Sequence, residues 1–153
     1  EKRNMRKKNT PAPPSMSDLQ FPFAPCPLHT QGHVPTIRLR VEGQFHAAHY
    51  LENYIGKCSN LHGHTWKVVA WVQPQTVMAN GIGIDFGILK NKLNDILPDH
   101  QHLNRVYRFN PTAENIAKRM HEQYTKALLK HKAKVISIEV WETDKNCAVY
   151  SIC

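Results

Sequence analysis

The order of strand and helix patterns along the chain predicts an α+β fold: a four-stranded antiparallel sheet with two helices on one face. Two strand patterns come first, two helical patterns follow, and two strand patterns close the chain. Short turns or loops join the strands of each pair, which favours antiparallel pairing. The 153 residues are enough for one domain with a substantial hydrophobic core.

Alternation of apolar and polar residues predicts the first two strands. The first begins at Thr36 and follows the segment TIRLRVEGQF, in which every second residue is apolar or small. The second runs from about His64 to Gln73, and Pro74 ends it because proline has no N–H for the sheet. One face of this second strand carries Trp66, Val68, Ala70 and Val72.

The pattern then changes to helical spacing. The segment GIGIDFGILKNKLNDIL predicts a helix that starts near Asp85, with that carboxylate at its N-terminus. For the second helix, Asn110 is expected to cap, Pro111 to take the first position, and Glu114 to lie in the positive first turn. Its apolar stripe consists of Ile116, Met120, Tyr124, Ala127 and Leu128.

The segments KVISIEVWET and CAVYSI return to strand patterns, with a turn between them at residues 144–146. Glu142 alternates with Ile138 and Val140, so it projects from the face that should be buried. A carboxylate in that position needs a partner. The partner is either a nearby Lys or Arg, or a ligand whose amino and ring N–H groups a carboxylate accepts in bidentate fashion.

The net charge of +8 is unevenly distributed. The first ten residues hold five Lys and Arg and one Glu, which is +4, so half of the excess lies there. Residues 1–34 are basic and rich in proline, and we expect a disordered tail or arm, with the folded domain at 35–153. The remaining +4 favours an anionic small substrate and is weak evidence for nucleic-acid binding. We therefore expect no nucleic-acid partner.

The four cysteines, at positions 26, 58, 147 and 153, form no C-x-x-C pair, which favours reduced thiols and a cytoplasmic protein. No apolar run has the length of a signal-peptide core or a membrane span, so we expect neither export nor membrane association. Cys26, His29 and His33 follow each other with a C-x2-H-x3-H spacing. That spacing either holds a second metal or is incidental in a proline-rich stretch.

Three histidines form the strongest candidate site. His62 and His64 lie two residues apart at the start of a strand, so both side chains point to one face. His49 follows the preceding strand pattern, and a neighbouring strand can bring it to the same place. Three histidines would leave the fourth position of a zinc ion open for catalysis. With ten histidines in the chain, however, some close pairs arise by chance.

Two further groups bear on this chemistry. Cys58 lies four residues before His62, where its thiolate would be either a base or a fourth zinc ligand that closes a structural site. Asp99 and His100 lie in the loop between the helices. They form either an acid/base pair or an ordinary polar loop after a helix C-terminus.

Six segments, from about Arg38 to Tyr150, resemble the 6-pyruvoyl-tetrahydropterin synthase and 6-carboxytetrahydropterin synthase family. They are FHAAHYL, KCSNLHGHTW, GIDFGILK, PDHQHLN, NPTAENIAK and VWETDKNCAVY. The resemblance implies a tunnelling fold (T-fold), in which subunits join their sheets into an oligomeric barrel with active sites between subunits. It also implies a homohexamer built from two trimeric rings. The departures from the family pattern are residues 1–34 and Pro98, where leucine is usual.

The resemblance also implies residue roles. His49, His62 and His64 would bind zinc, and Cys58 would be the base that abstracts a proton. Asp99 and His100 would form the second acid/base pair. Glu142 would anchor the pterin ring, and Thr112 and Glu114 would line its pocket.

The implied substrate is 7,8-dihydroneopterin triphosphate. The stretch LHGH after the cysteine is similar to the carboxy-pterin branch, which feeds queuosine and other deazapurines and releases acetaldehyde and triphosphate. The biopterin branch, with a 6-pyruvoyl product, and a zinc- or pterin-binding module without catalysis stay open as alternatives.

Overall fold

The computed structural model describes residues 36–152. The tail at 1–34 and the candidate metal site at Cys26, His29 and His33 lie outside these residues. The elements in chain order are β1 (Leu39–His49), β2 (His62–Pro74), α1 (Phe86–Asn94), β3 (Gln101–His102), α2 (Leu103–Val106), α3 (Ala113–Leu128), β4 (Ala133–Thr143) and β5 (Asn146–Ser151). Single 3-10 turns occupy Lys57–Ser59 and Leu129–His131. Across the described range, no helix is both long enough and apolar enough to span a membrane.

The sheet has five strands in the order β3-β1-β2-β4-β5. The four long strands pair antiparallel, as the alternation predicts. The two-residue strand β3 adds a parallel edge beside Ala47 and Ala48 of β1, so the sheet is mixed and the expectation of four strands is wrong by one. The one-turn helix α2 is likewise additional to the two predicted helices. Elements of two and four residues are too short to produce a recognisable period.

The core lies between α1, α3 and the face of the sheet that alternation predicts to be buried. Phe45 of β1 and Trp66 of β2 are fully buried there and stack with parallel rings 5.9 Å apart. The buried residues of α1 are Leu89 and Leu93, and those of α3 include Tyr124. The Tyr124 hydroxyl donates a hydrogen bond of 2.9 Å to the Leu89 carbonyl, which ties the two helices together.

Of the two N-terminal caps predicted for the long helices, one is formed and the other is not. The Asp85 carboxylate accepts hydrogen bonds from the backbone N–H groups of Gly87 at 2.7 Å and Ile88 at 3.3 Å, as expected. The expectation that Asn110 caps the second helix is wrong. The cap is Thr112, whose backbone is extended and whose hydroxyl accepts from the Asn115 N–H at 3.3 Å.

Asn110 instead fixes the approach to this helix. Its side-chain amide oxygen accepts from the Glu52 N–H at 3.0 Å, and its nitrogen donates to the Glu52 carbonyl at 3.1 Å. This double hydrogen bond joins the segment after β1 to the segment before α3. Pro111 therefore precedes the cap and does not occupy the first helical position, because the helix starts at Ala113.

Replacing Asp85 by alanine should lower the free energy of unfolding by about 1 kcal/mol, because two N–H groups of the first turn lose their acceptor. Asp85→Ser should retain most of the stability, since serine also caps. Urea unfolding followed by circular dichroism at one fixed protein concentration measures both. Equal stabilities for the wild type and Asp85→Ala, or equal losses for the two variants, would contradict the assigned cap.

Candidate metal centre and adjoining clefts

The register between β1 and β2 brings the three predicted histidines together. His49 lies directly opposite His62, and Ala47 lies opposite His64. Residues opposite each other in an antiparallel pair point to the same face, and so do residues two apart in one strand. The ring centroids are 4.5 Å apart for His49 and His62, 5.3 Å for His49 and His64, and 4.9 Å for His62 and His64. The predicted cluster is therefore formed within one chain.

Backbone carbonyls orient two of the three rings. The Nδ1 atom of His49 lies 2.8 Å from the Pro111 carbonyl oxygen, and that of His62 lies 2.7 Å from the Asn60 carbonyl oxygen. Because a carbonyl only accepts, Nδ1 carries the proton in both rings, and Nε2 presents its lone pair. The Nε2 atoms of His49, His62 and His64 are buried and have no hydrogen-bond partner among the described residues.

Burial lowers the pKa of both His49 and His64, since a charged imidazole loses its hydration there. The neighbouring His62 ring acts in the same direction, while Glu142 opposes it. Neutral imidazole is the form that binds metal ions. Buried, unpartnered Nε2 atoms from three converging rings, two of them with a lowered pKa, thus fit the donor set of a zinc ion with an open position.

Glu142 is the fourth member of this cluster. Its Oε1 atom lies 3.4 Å from Nε2 of His49 and 3.4 Å from Nε2 of His64. The four ligand atoms lie within 4.8 Å of one another. Strand β4 therefore delivers this carboxylate to the histidines of its own chain. Within residues 36–152 no Lys or Arg forms an ion pair with Glu142, and the two imidazoles stand in the place of the expected Lys or Arg.

Cys58 lies outside the group of potential ligand atoms. It sits on the 3-10 turn Lys57–Ser59 with a half-buried free thiol. The Cys58 carbonyl accepts from the Leu51 N–H at 2.8 Å, which holds the turn against the end of β1. This arrangement does not make the cysteine a fourth ligand of a closed site.

A cleft of about 420 Å³ brings together the cysteine predicted to act as a base and the residues predicted to bind substrate. Cys58, Thr112, Glu114 and Glu142 all line it. Sequence reasoning missed the remaining residues of the wall, which are Leu51, Tyr54, Ala113, Asn146, Cys147 and Ala148. For Asn146, Cys147 and Ala148, the signal that could have found them is their position directly after the turn that follows Glu142.

Asp99 and His100 form the predicted pair. Asp99 Oδ2 accepts a hydrogen bond from His100 Nδ1 at 2.8 Å, and Asp99 Oδ1 accepts from the His46 backbone N–H at 2.7 Å. The His46 N–H, together with the His100 imidazole, lowers the pKa of Asp99 to about 2. The carboxylate therefore stays ionised at neutral pH and can orient His100.

This pair lies in a different cavity from Cys58. His46 alternates with Ala47 along β1, so it faces the side of the sheet opposite His49 and His64. The second cavity is an open one of about 590 Å³, lined by His46, His64, His100 and His102 among others. Within one chain, Cys58 and the Asp99–His100 pair thus lie in two different cavities.

Comparison with known proteins places this geometry in a family. The sequence model of the family described as 6-pyruvoyl tetrahydropterin synthase matches residues 38–153. The 6-carboxy-5,6,7,8-tetrahydropterin synthase of Synechocystis is 32% identical over 117 residues, which is 71% of this chain and 88% of that protein. The enzyme of the same name from Bacillus subtilis is 28% identical over 127 residues, or 77% of this chain and 87% of that protein.

The fold agrees with a solved structure of the same family. The 6-pyruvoyl tetrahydropterin synthase of Caenorhabditis elegans superposes with a TM-score of 0.68 at 25% sequence identity. The alignment covers 78% of this chain and 97% of that structure. The family match spans most of the chain and includes every residue of the metal cluster and of both clefts. The chain belongs to the 6-pyruvoyl tetrahydropterin synthase family.

Proposed function

We propose that the protein is a zinc-dependent lyase that converts 7,8-dihydroneopterin triphosphate to 6-carboxy-5,6,7,8-tetrahydropterin, with release of acetaldehyde and triphosphate. The observation that carries this proposal is the convergence of three buried, unpartnered histidine Nε2 atoms beside a cleft that contains a free thiol. The names of the curated relatives from Synechocystis and Bacillus subtilis support the choice of reaction.

In this proposal, His49, His62 and His64 hold the zinc ion. A zinc ion bound there would act as a Lewis acid on the oxygens of the substrate side chain. The Pro111 and Asn60 carbonyls keep the His49 and His62 rings in the tautomer that ligation needs.

Cys58 is the proposed base. Its thiol lines the same cleft as Glu142, and Glu142 lies 3.4 Å from two of the metal-binding histidines. The thiolate is the form that accepts a proton, and positive charge nearby favours it. Cys58 would therefore remove the proton from a substrate carbon held between the cleft and the metal centre.

Glu142 is the proposed anchor of the pterin ring. A carboxylate accepts two parallel N–H donors, which matches the amino group and a ring N–H of a pterin. Thr112 and Glu114, at the first turn of α3, line the same cleft and would contact the ring. The short distances to His49 and His64 also allow Glu142 to act as a metal ligand. Measuring bound zinc in a Glu142 variant distinguishes a metal ligand from a pterin anchor.

We assign the second acid/base step to Asp99 and His100 of a neighbouring subunit. The His100 side chain is 79% exposed and lies in a different cavity from Cys58. A second chain is therefore needed to bring His100 to the Cys58 cleft. A positioned general acid or base contributes a rate factor of about 10² to 10⁴.

The proposed assembly is a homohexamer of two trimeric rings, in which sheets join into a barrel. Strands β3 and β5 form the two edges of the sheet, and Val149 on β5 is 59% exposed. Exposed apolar edges favour pairing with another chain, and closure into a barrel removes them. We place the enzyme in the cytoplasm, in the formation of queuosine and other deazapurines, without a nucleic-acid or membrane partner.

A second candidate is 6-pyruvoyl-tetrahydropterin synthase. The structural similarity to the Caenorhabditis elegans enzyme of that name favours it. Both reactions would use the same metal ligands and the same base, so product analysis has to decide.

Incubation of the zinc-loaded protein with 7,8-dihydroneopterin triphosphate should give the 6-carboxy product, acetaldehyde and triphosphate. Cys58→Ala should abolish the reaction while the protein still binds zinc, because the proton-abstracting group is absent. Liquid chromatography with mass spectrometry identifies the pterin. A 6-pyruvoyl product would assign the biopterin branch, and 6-hydroxymethyl-dihydropterin would assign an aldolase-like reaction. No turnover with any of these products would indicate a binding module.

Elemental analysis should find one zinc ion per chain in the wild type. His62→Ala should remove most of it, because a ligand Nε2 is lost. Glu142→Gln should keep the zinc while raising KM, since the amide no longer accepts two N–H donors from the pterin. His131→Ala, outside both clefts, is the matched control and should keep its zinc. Loss of zinc in Glu142→Gln would make Glu142 a metal ligand and not the pterin anchor.

Mixed oligomers of Cys58→Ala and His100→Ala chains should regain activity that neither variant has alone. If each site combines Cys58 of one chain with His100 of another, random mixing restores about one quarter of the sites. Co-expression with two different affinity tags isolates the mixed species, and sedimentation gives its mass. Activity at the level of the single variants, or an active species of one 17.6 kDa chain, would contradict the shared site.

A further inference from the structure

We infer that His46 is a positioning residue that sets the geometry of the Asp99–His100 pair. The inference rests on the proposed function, in which that pair exchanges a proton with the substrate. His46 belongs to the segment FHAAHYL, but its residue type and spacing assign it no role. The structure joins it to the pair through three contacts.

Two of the contacts are made by the His46 backbone. Its N–H donates to Asp99 Oδ1 at 2.7 Å, and its carbonyl accepts from the His100 N–H at 2.7 Å. His100 has a φ of 55°, in the left-handed region that residues other than glycine rarely adopt. The bond to the His46 carbonyl, followed by the pairing of Ala47 with Gln101, holds the chain in this conformation.

The third contact is made by the His46 ring. Its Nδ1 atom lies 3.3 Å from Asp99 Oδ1, whereas His100 Nδ1 lies 2.8 Å from Asp99 Oδ2. One carboxylate is therefore shared by two imidazoles, one at each oxygen. The two ring centroids are 5.6 Å apart.

This sharing limits the rotation of the carboxylate. The terminal torsion of aspartate is broad, so a single contact at Oδ1 leaves Oδ2 free to swing away from His100. Donors from both the backbone and the ring of His46 at Oδ1 keep Oδ2 directed at His100 Nδ1. His100 Nε2 is then the atom that is free to exchange a proton with a substrate.

We expect the His46 ring to affect the reaction more than the free energy of unfolding. The side chains of His46, Asp99 and His100 are 53%, 48% and 79% exposed, and exposed ion pairs stabilise folded proteins little. His46 and His100 contact the same carboxylate, so removal of the His46 ring leaves Asp99 Oδ1 with the backbone donor alone and loosens the orientation of Oδ2 towards His100. His64 and His102 also belong to the wall of this cavity, although the His64 ring faces the other side of the sheet together with His49 and His62.

The test uses the zinc-loaded 153-residue chain and two substitutions. His46→Asn retains a donor close to the position of Nδ1, and His46→Leu has similar size without a donor. His46→Leu should lower kcat about tenfold with little change in KM, the low end of what loss of an orienting partner costs. His46→Asn should recover most of the loss. His131→Leu is the control for a substituted histidine outside both clefts and should behave as the wild type.

A second measurement needs no substrate. Nuclear magnetic resonance of histidines labelled at the ring carbon follows the titration of His100 in each variant. His46→Leu should shift the midpoint for His100, and His46→Asn should keep it close to the wild-type value. Circular dichroism melting should be unchanged in both, which separates a positioning role from unfolding.

The inference is overturned if His46→Leu leaves the His100 titration unchanged, whatever happens to kcat. It is also overturned if His46→Asn and His46→Leu are equally impaired in both measurements. A wild-type protein without turnover would overturn the proposed reaction only. The titration of His100 would then still decide the role of His46.

Discussion

The register of β1 against β2 is the constraint on which both clefts depend. A slip of one residue would turn His62 and His64 to the opposite face of the sheet and separate them from His49. Trp66 secures the register, because its indole N–H donates to the Ala47 carbonyl at 3.3 Å. The Trp66 ring also meets the edges of His49 and His64 at centroid distances of 5.0 Å and 5.3 Å. One buried indole thus supports both the sheet and the floor of the candidate metal centre.

The start of α3 connects this floor to the cleft. The Pro111 carbonyl orients His49, and Thr112, the next residue, both caps the helix and lines the wall near Cys58. The bonds between Asn110 and Glu52 keep this junction at a fixed distance from the end of β1. A change in the entry to α3 would therefore move the His49 ring and the wall of the cleft together.

Sequence could predict the parts of this arrangement that depend on local periodicity. The two-residue spacing of His62 and His64, the four long strands and the Asp85 cap all follow from short-range patterns, and the structure agrees with them. Contacts between distant segments were not predictable in this way. Glu142 reaches the histidines of its own chain because of the pairing of β4 with β2, and His46 meets Asp99 largely through its backbone, which carries no sequence signal. Thr112, and not Asn110, caps the helix because the Asn110 side chain is already hydrogen-bonded to the Glu52 backbone.

The connectivity of the sheet also imposes an order on its formation during folding. All three histidines and Cys58 lie in β1, β2 and the segment between them, whereas Glu142 arrives on β4 after both long helices. Contacts that close short loops form faster than contacts that close long ones. A newly synthesised chain can therefore assemble its three nitrogen donors and its thiol in a local hairpin, while the carboxylate completes the cluster only when the last strands dock.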